Sequence, residues 1–168
     1  MKIGVFNCDS VEIAWTRTGS GPAVVLMHGM AATHELWSVT GVAQRLSERF
    51  TVIAFDARGH GRSSRSHTPD YYGRRMVEDA LRLADQIGAE RVRWVGNCMG
   101  ASVALKLASE HPLDLVLLDL IMPRLDGMAA LKKLKVLNPE LPVLMMTAFG
   151  SIESAVAALK SGAEDYLP

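Results

Sequence analysis

Short apolar runs alternate with segments of helical periodicity along the chain. The runs predict eight strands, because aliphatic stretches of this length are typical of strands covered on both faces. The periodic segments predict helices at about 33–48, 71–87, 99–110, 126–137 and 151–161. In the last of these, apolar residues recur at helical spacing from Ile152 to Leu159, which predicts one buried face. The predicted strands are 2–7, 11–17, 23–27, 51–55, 91–96, 115–119, 142–146 and 165–167.

This alternation of strands and helices predicts an α/β protein with a mostly parallel sheet between two helical layers. The first two strands are separated by the turn-like Cys8-Asp9-Ser10, so we expect them to form an antiparallel hairpin. The later crossovers should be right-handed. We therefore expect residues 1–168 to form one three-layer α/β/α domain with a single eight-stranded sheet.

Composition excludes several classes of protein. The 168 residues are 49% hydrophobic, which suffices for a core and argues against disorder. Eighteen basic and eighteen acidic side chains give no net charge, which argues against binding to nucleic acid or an anionic membrane surface. Two cysteines provide no disulfide framework, and no apolar run approaches the length that spans a bilayer. With no signal-like N-terminus, we expect a reduced, cytoplasmic protein.

A possible nucleophile lies where a predicted strand turns into a helix. Gly96-Asn97-Cys98-Met99-Gly100 has the Gly-x-Cys-x-Gly spacing of a strained strand-to-helix turn, in which small flanking residues let the central side chain stand at the strand tip. Two other strands end in His28-Gly29-Met30 and in the Gly-rich segment 56–63. A loop like the first of these can offer a backbone N–H to an oxyanion.

With these three motifs in this order, residues 10–112 resemble the α/β-hydrolase family. The resemblance implies the strand order 1-2-4-3-5-6-7-8 without a cap domain. It places Cys98 where the family has its nucleophile, and it implies that the N–H groups of Met99 and Met30 form the oxyanion hole. His28 and Gly29 would belong to the oxyanion loop, with a structural role for His28. A small ester is the substrate class that the resemblance suggests.

The same resemblance exposes departures from the family. Its acid follows the seventh strand, where this chain has Thr147-Ala148-Phe149-Gly150, and its histidine follows the eighth, although no histidine occurs here after His111. The general base that activates the nucleophile is therefore absent from its usual place. We expect His34, His60 and His67 to be loop or surface residues. A thiol at a helix N-terminus can still provide some thiolate without a base.

The last third of the chain carries a different pattern. A buried strand ends at Asp119, a Pro/Gly loop follows, and Asp126-Gly127 opens the next helix. Residues 113–168 resemble the second half of a flavodoxin-like receiver domain of response regulators, of the sigma-54 activator type. The resemblance matches Asp119 to the phosphoacceptor, Thr147 to the switch hydroxyl and Tyr166 to the aromatic that senses it. The receiver's acidic pair and final lysine have no counterparts here, so we expect no metal and no cofactor.

Residue usage also changes between the two regions. Residues 1–113 contain eleven of the twelve arginines, all five histidines and all three tryptophans, whereas residues 114–168 contain four of the six lysines. We interpret the chain as an engineered or recombined chimera, with a hydrolase-derived part at 1–112 and a receiver-derived part at 113–168, without efficient catalysis or signalling. Two alternatives stay open: a weak thiol-dependent esterase at Cys98, and a phosphoacceptor at Asp119. The sequence leaves the oligomeric state open.

Overall fold

The computed structural model describes residues 1–65, 67–89, 91–110, 116–119, 126–147 and 150–167, without the side chains of residues 69, 108, 109 and 117–119. The chain divides into two compact units, Met1–Ala104 and Leu105–Pro168. The first contains a five-stranded sheet and the second a three-stranded sheet. Within the described ranges no helix is long and apolar enough to span a membrane.

The first unit is an α/β layer structure around a mixed sheet with strand order β1-β2-β4-β3-β5. An antiparallel hairpin forms its edge, and β3 pairs in parallel with β4 and β5. Every residue of β3 and β4 is buried, which explains their unbroken apolar sequence. Its strands are β1 (Lys2–Cys8), β2 (Val11–Thr18), β3 (Ala23–Met27), β4 (Thr51–Phe55) and β5 (Val92–Gly96); its helices are α1 (Leu36–Val39), α2 (Val42–Ser47) and α3 (Arg74–Ile87), and α4 (Met99–Glu110) continues into the second unit.

The register of the parallel strands determines where the loops of the first unit meet. Met27 at the end of β3 lies opposite Phe55 of β4 and Gly96 of β5. All three strands therefore end at the same level of the sheet. The segments that follow them, beginning at His28, Asp56 and Asn97, leave from one carboxyl edge, where open α/β sheets bind ligands.

The second unit has a parallel sheet with strand order β6-β7-β8. Its elements are β6 (Val116–Asp119), α5 (Gly127–Leu137), β7 (Val143–Met146), α6 (Ile152–Lys160) and β8 (Asp165–Leu167). The side chains buried at its core share an apolar character: Val116, Ala130, Leu131, Leu134, Leu141, Val143, Met145, Ala158 and Ala163.

The α/β fold class is confirmed, and most predicted strands begin and end within one residue of those observed. The strand orders within the two sheets agree with the expected sequence of strands. The single eight-stranded sheet is not seen in the described residues, whose strands are hydrogen-bonded into two sheets. Pairing of β5 with β6 stays a prediction, because the two strands belong to different compact units.

Three predicted helical features were wrong in detail. The helix at 33–48 is two short helices, because Gly41 between them has a φ of 75°, a left-handed conformation that breaks the helical ladder. The helix at 71–87 begins at Arg74, after a 3₁₀ turn. The apolar stripe on α6 is exposed, with Ile152 80% accessible, and the residue that α6 buries completely is Ala158.

Candidate active site

The turn between β5 and α4 has the strained geometry that its spacing predicts. Cys98 has a φ of 51°, and its side chain is exposed. A Cβ added at Gly96 would overlap the backbone of Gly100, and one added at Gly100 would overlap the carbonyl of Met27. Both glycines are therefore required by packing, and together they hold Cys98 at the tip of the turn.

The loop after β3 lies against this turn. A Cβ at Gly29 would lie 2.6 Å from Asn97 Oδ1 and 3.2 Å from Cys98 Cβ, so a larger residue would force the Asn97 side chain or the loop to shift. The Gly100 N–H donates to the His28 carbonyl over 3.2 Å and fixes the loop to the turn. In the described part of the chain, the N–H groups of Met30 and Met99 donate to no acceptor.

His28 is a structural residue whose two ring nitrogens are both occupied. Its Nδ1–H donates to the Gly29 carbonyl over 2.7 Å, and its Nε2 accepts the Ala57 N–H over 3.0 Å. The side chain is buried, and burial lowers the pKa of His28. The hydrogen bond to the Gly29 carbonyl raises this pKa, but burial has the larger effect. A neutral imidazole with no free nitrogen cannot act as a general base.

Asp56 organises the loops that follow β3 and β4. Its fully buried carboxylate accepts hydrogen bonds from the His34 N–H at 2.7 Å, from His34 Nδ1 at 2.9 Å and from the Arg62 N–H at 2.9 Å. Burial raises the pKa of Asp56, and these hydrogen bonds outweigh it, so the pKa lies below its ordinary value. His34 lies in the loop before α1, as expected, and its side chain, 11% exposed, is the partner of a buried carboxylate.

A second buried carboxylate forms an ion pair behind the same edge. Asp79 on α3 accepts two hydrogen bonds from Arg58, at 2.7 Å and 2.6 Å, and Arg58 also donates to the Tyr71 carbonyl. Cys8, expected in the hairpin turn, is the last residue of β1 and is buried. Burial, with the hydrogen bond and the negative charge of Asp79, raises the pKa of the Cys8 thiol to about 12.

We call the turn at residues 96–100, around Cys98, the elbow. An apolar cavity of about 10 Å³ adjoins it and is lined by residues that include Met27, Phe55, Met99 and Val103. This volume admits about one water molecule. An ester must therefore reach Cys98 from the exposed side of the turn.

In the second unit, the residues that the receiver resemblance selects fall at the ends of β6, β7 and β8. Asp119 is the last residue of β6 and lies opposite Met146; its side chain is outside the described part. Thr147 is buried, and Tyr166 donates or accepts a hydrogen bond of 2.8 Å with Ser154. Asp126 caps α5 by accepting the Met128 N–H, as predicted.

No group of three or more His, Cys, Asp or Glu side chains is placed to hold a metal ion within the described ranges.

Sequence reasoning missed the roles of His34 and Asp79. A carboxylate in a Gly-rich turn needs backbone donors when it is buried, which would have pointed to the loop containing His34. For Asp79, the available signal was a charged residue on the apolar face of α3, between Met76, Val77, Ala80 and Leu83.

A family model described as alpha/beta hydrolase fold matches residues 22–145. The transcriptional regulatory protein ZraR of Escherichia coli K12 is 56% identical over 64 residues, which cover 38% of this chain and 14% of that protein. An uncharacterized protein of Mycobacterium tuberculosis H37Rv is 37% identical over 99 residues, which cover 59% of this chain and 28% of that protein. The chain thus spans less than a third of the length of either relative.

Solved structures resemble the fold at low sequence identity. A hydrolase from Pseudomonas aeruginosa superposes with a TM-score of 0.73 at 18% identity, over 99% of this chain and 89% of that one. An epoxide hydrolase from Vigna radiata superposes with a TM-score of 0.61 at 22% identity, over 74% of this chain and 42% of that one. At these identities the likeness extends to the fold alone.

Proposed function

Because this chain belongs to the α/β-hydrolase fold family, we propose that its chemistry occurs at the elbow, where Cys98 accepts an acyl group from a small ester. The observation that carries the proposal is the left-handed backbone of Cys98, which presents an exposed thiol at the start of α4. The adjacent loop is fixed within contact distance by Gly29. This arrangement has the strain and the access that a nucleophile requires.

The acylation step uses the groups at this turn. The Cys98 thiolate attacks the carbonyl carbon of the ester, and the carbonyl oxygen becomes an oxyanion that the N–H groups of Met30 and Met99 stabilise. Collapse of the tetrahedral intermediate breaks the bond to the alcohol oxygen, and the alkoxide takes a proton from water. An acyl thioester on Cys98 remains.

Turnover is limited by the second step. Hydrolysis of the thioester needs an activated water, and no described residue makes a hydrogen bond to the Cys98 thiol that would mark a general base beside it. Both nitrogens of His28 are occupied, and His34, whose Nδ1 is bound to Asp56, makes no hydrogen bond to Cys98 among the described residues. We expect the acyl-enzyme to accumulate, which gives a weak thiol-dependent esterase at most.

The chain as a whole is best explained as an engineered or recombined α/β protein, with a hydrolase-derived part at 1–112 and a receiver-derived part at 113–168 in one domain. Two classes of relative support this. One matches 99 residues at 37% identity, and the other, a transcriptional regulator, matches 64 residues at 56% identity. The boundary between the compact units, at Ala104 and Leu105, falls close to the proposed join.

Phosphorylation at Asp119 is the less favoured function. Phosphoryl transfer to a carboxylate depends on a positioned cation, and His28-Gly29-Met30 provides no carboxylate at the corresponding strand end. We expect no phosphoryl-aspartate when the protein is incubated with Mg²⁺ and acetyl phosphate. A mass gain of one phosphoryl group that Asp119→Asn abolishes would promote this function above acylation.

The acylation proposal is tested with p-nitrophenyl acetate. We expect a burst of about one equivalent of p-nitrophenol followed by very slow release, and a gain of one acetyl group on the peptide that contains Cys98. Cys98→Ala should lose the burst, and Cys98→Ser should lose it too, because a hydroxyl needs a base that a thiol does not. Gly29→Ala should slow the burst, since its Cβ would displace the oxyanion loop.

Cys8→Ala is the matched control, because it removes the other thiol and leaves the elbow intact. It should keep the full burst, since a buried thiol with a pKa raised to about 12 is unreactive near neutral pH. The absence of an acetyl adduct at Cys98 in wild-type protein would refute the proposal. Steady turnover without a burst would refute the limit on deacylation.

A further inference from the structure

A cleft of about 330 Å³ opens at the edge of the five-stranded sheet opposite Cys98. Ala23 and Thr51, the first residues of β3 and β4, line it together with Arg17 near the end of the antiparallel β2. Gly88 and Arg91, between α3 and β5, complete the wall. We propose that this cleft is a binding site for small phosphate monoesters, separate from the elbow.

The charge of the cleft is the first argument. Arg17 and Arg91 line it, and no Asp or Glu does so among the described residues. Arg17 lies directly opposite Lys2 in the β1–β2 ladder, and like charges at that position repel each other unless an anion lies between them. In the described part of the chain Arg17 forms no ion pair. Arg91 has another interaction within the chain, and the five N–H donors of a guanidinium leave others for a phosphate.

The Thr51 hydroxyl is the second argument. Thr51 lines the cleft, and its side-chain oxygen has no hydrogen-bond partner among the described residues. The oxygen is accessible, so a ligand in the cleft can reach it. A phosphate oxygen in the cleft would accept this hydroxyl's hydrogen bond.

The end of α3 explains why an ester is favoured over free phosphate. Ile87 is the last residue of the helix, and Gly88 ends it with a φ of 64°. The last carbonyls of a helix have no partner within it and accept hydrogen bonds from outside. They would repel a phosphate and attract hydroxyl groups, so the ligand should carry its phosphate toward the arginines and its hydroxyl groups toward α3.

The test is a calorimetric titration of the full chain with glycerol 3-phosphate, with inorganic phosphate and glycerol as comparison ligands. We expect glycerol 3-phosphate to bind more tightly than inorganic phosphate, and glycerol not to bind. Arg17→Gln and Arg91→Gln should each weaken binding about tenfold or more, as expected for a charge-assisted contact. Thr51→Val, which keeps the side-chain shape, should weaken it about fivefold.

Arg45→Gln is the matched control, because it removes one exposed charge from α2 and leaves the cleft unchanged. It should bind like wild type, as should Cys98→Ala, whose change lies at the opposite edge. Equal weakening in Arg45→Gln and Arg17→Gln would overturn the site in favour of general charge attraction. Equal affinity for inorganic phosphate would overturn the assignment to an ester, and no heat of binding would overturn the proposal entirely.

Discussion

The two compact units differ in where they use polar side chains. In the first, charged and polar side chains are buried along the carboxyl edge of the sheet: His28, Asp56, Arg58, Ser63 and Asp79. In the second, Thr147 is the one buried polar residue in the described part, and the core is apolar. The second unit closes its helices with local caps instead, at Asp126 and Ser151.

This difference shows what a candidate catalytic edge needs. Loops with irregular backbones must satisfy their N–H and C=O groups, and the first unit does so with buried side chains. Ser63 is an example, since it accepts the Ala14 N–H and donates to the Asp56 carbonyl. The polar network fixes the loops around Cys98, whereas the caps described in the second unit fix the starts of α5 and α6. The comparison predicts that the free energy of unfolding falls most when a buried polar side chain is removed from the first unit. In the second unit it should fall most when a buried apolar side chain is removed.

The largest effect is expected from Asp79→Ala. The substitution leaves the Arg58 guanidinium, 1% exposed, without its anionic partner. Breaking one side of a buried pair costs about 3–5 kcal/mol in the free energy of unfolding. Urea unfolding measures the loss.

Glu78→Ala is the control for this change. Glu78 is the neighbouring acidic residue on α3, and its contacts to Arg74 and Arg75 are near 3.8 Å at the surface. Its loss should cost less than about 1 kcal/mol. Similar losses for both variants would show that the buried pair does not hold the edge of the first unit.

Leu131→Ala should produce the largest effect in the second unit. Leu131 is fully buried in the apolar core, and its truncation should cost about 2–5 kcal/mol. Val136→Ala on the same helix, at 83% exposure, should cost less than about 0.5 kcal/mol. Tryptophan fluorescence adds a second readout, because all three tryptophans lie in the first unit. If residues 1–168 form one cooperative domain, Leu131→Ala shifts that signal too; an unchanged fluorescence transition would mean that the units unfold separately.

The helices and strands of both units could be predicted because the spacing of apolar residues and the residue types that form turns are local properties of the sequence. The strands follow from apolar runs, and the cap at Asp126 follows from helix-start chemistry. The elbow was predictable because Gly96 and Gly100 are forced by backbone contact. The partners of buried polar groups were not, because His34 and Asp56 are 22 residues apart and only the folded sheet brings them together. The exposed face of α6 was missed because periodicity shows a stripe and not what covers it.

A smaller effect is expected from acidification. Burial lowers the pKa of His28, so the unfolded chain binds this proton more readily than the folded one. The contribution of neutral His28 to the free energy of unfolding is fully present above the unfolded pKa of about 6.5. It is lost as the pH falls through that value toward the folded pKa. Between about pH 7.5 and about pH 5.5 the loss is at most about 1.4 kcal/mol. Asp56, whose pKa is lowered, stays ionised over this range.

Urea unfolding at the two pH values measures this loss. His28→Gln can keep one donor and one acceptor without titrating, so it should lose this component of the pH dependence. His67→Gln, at an exposed position, should retain it. An identical pH dependence in wild type and His28→Gln would assign the effect to other groups.

The smallest effect is expected at the N-terminus of α6, where the second unit relies on local hydrogen bonds. The Ser151 side chain accepts the Ser154 N–H at 3.1 Å, and the Ser154 side chain accepts the Ser151 N–H at 2.9 Å, which forms a capping box. Ser151→Ala should cost about 1 kcal/mol in the free energy of unfolding. Ser161→Ala, at the other end of the helix where no cap of this kind exists, should cost less than about 0.5 kcal/mol. If Ser151→Ala costs as much as Leu131→Ala, the second unit depends on a polar anchor as strongly as the first does, and the contrast between the units fails.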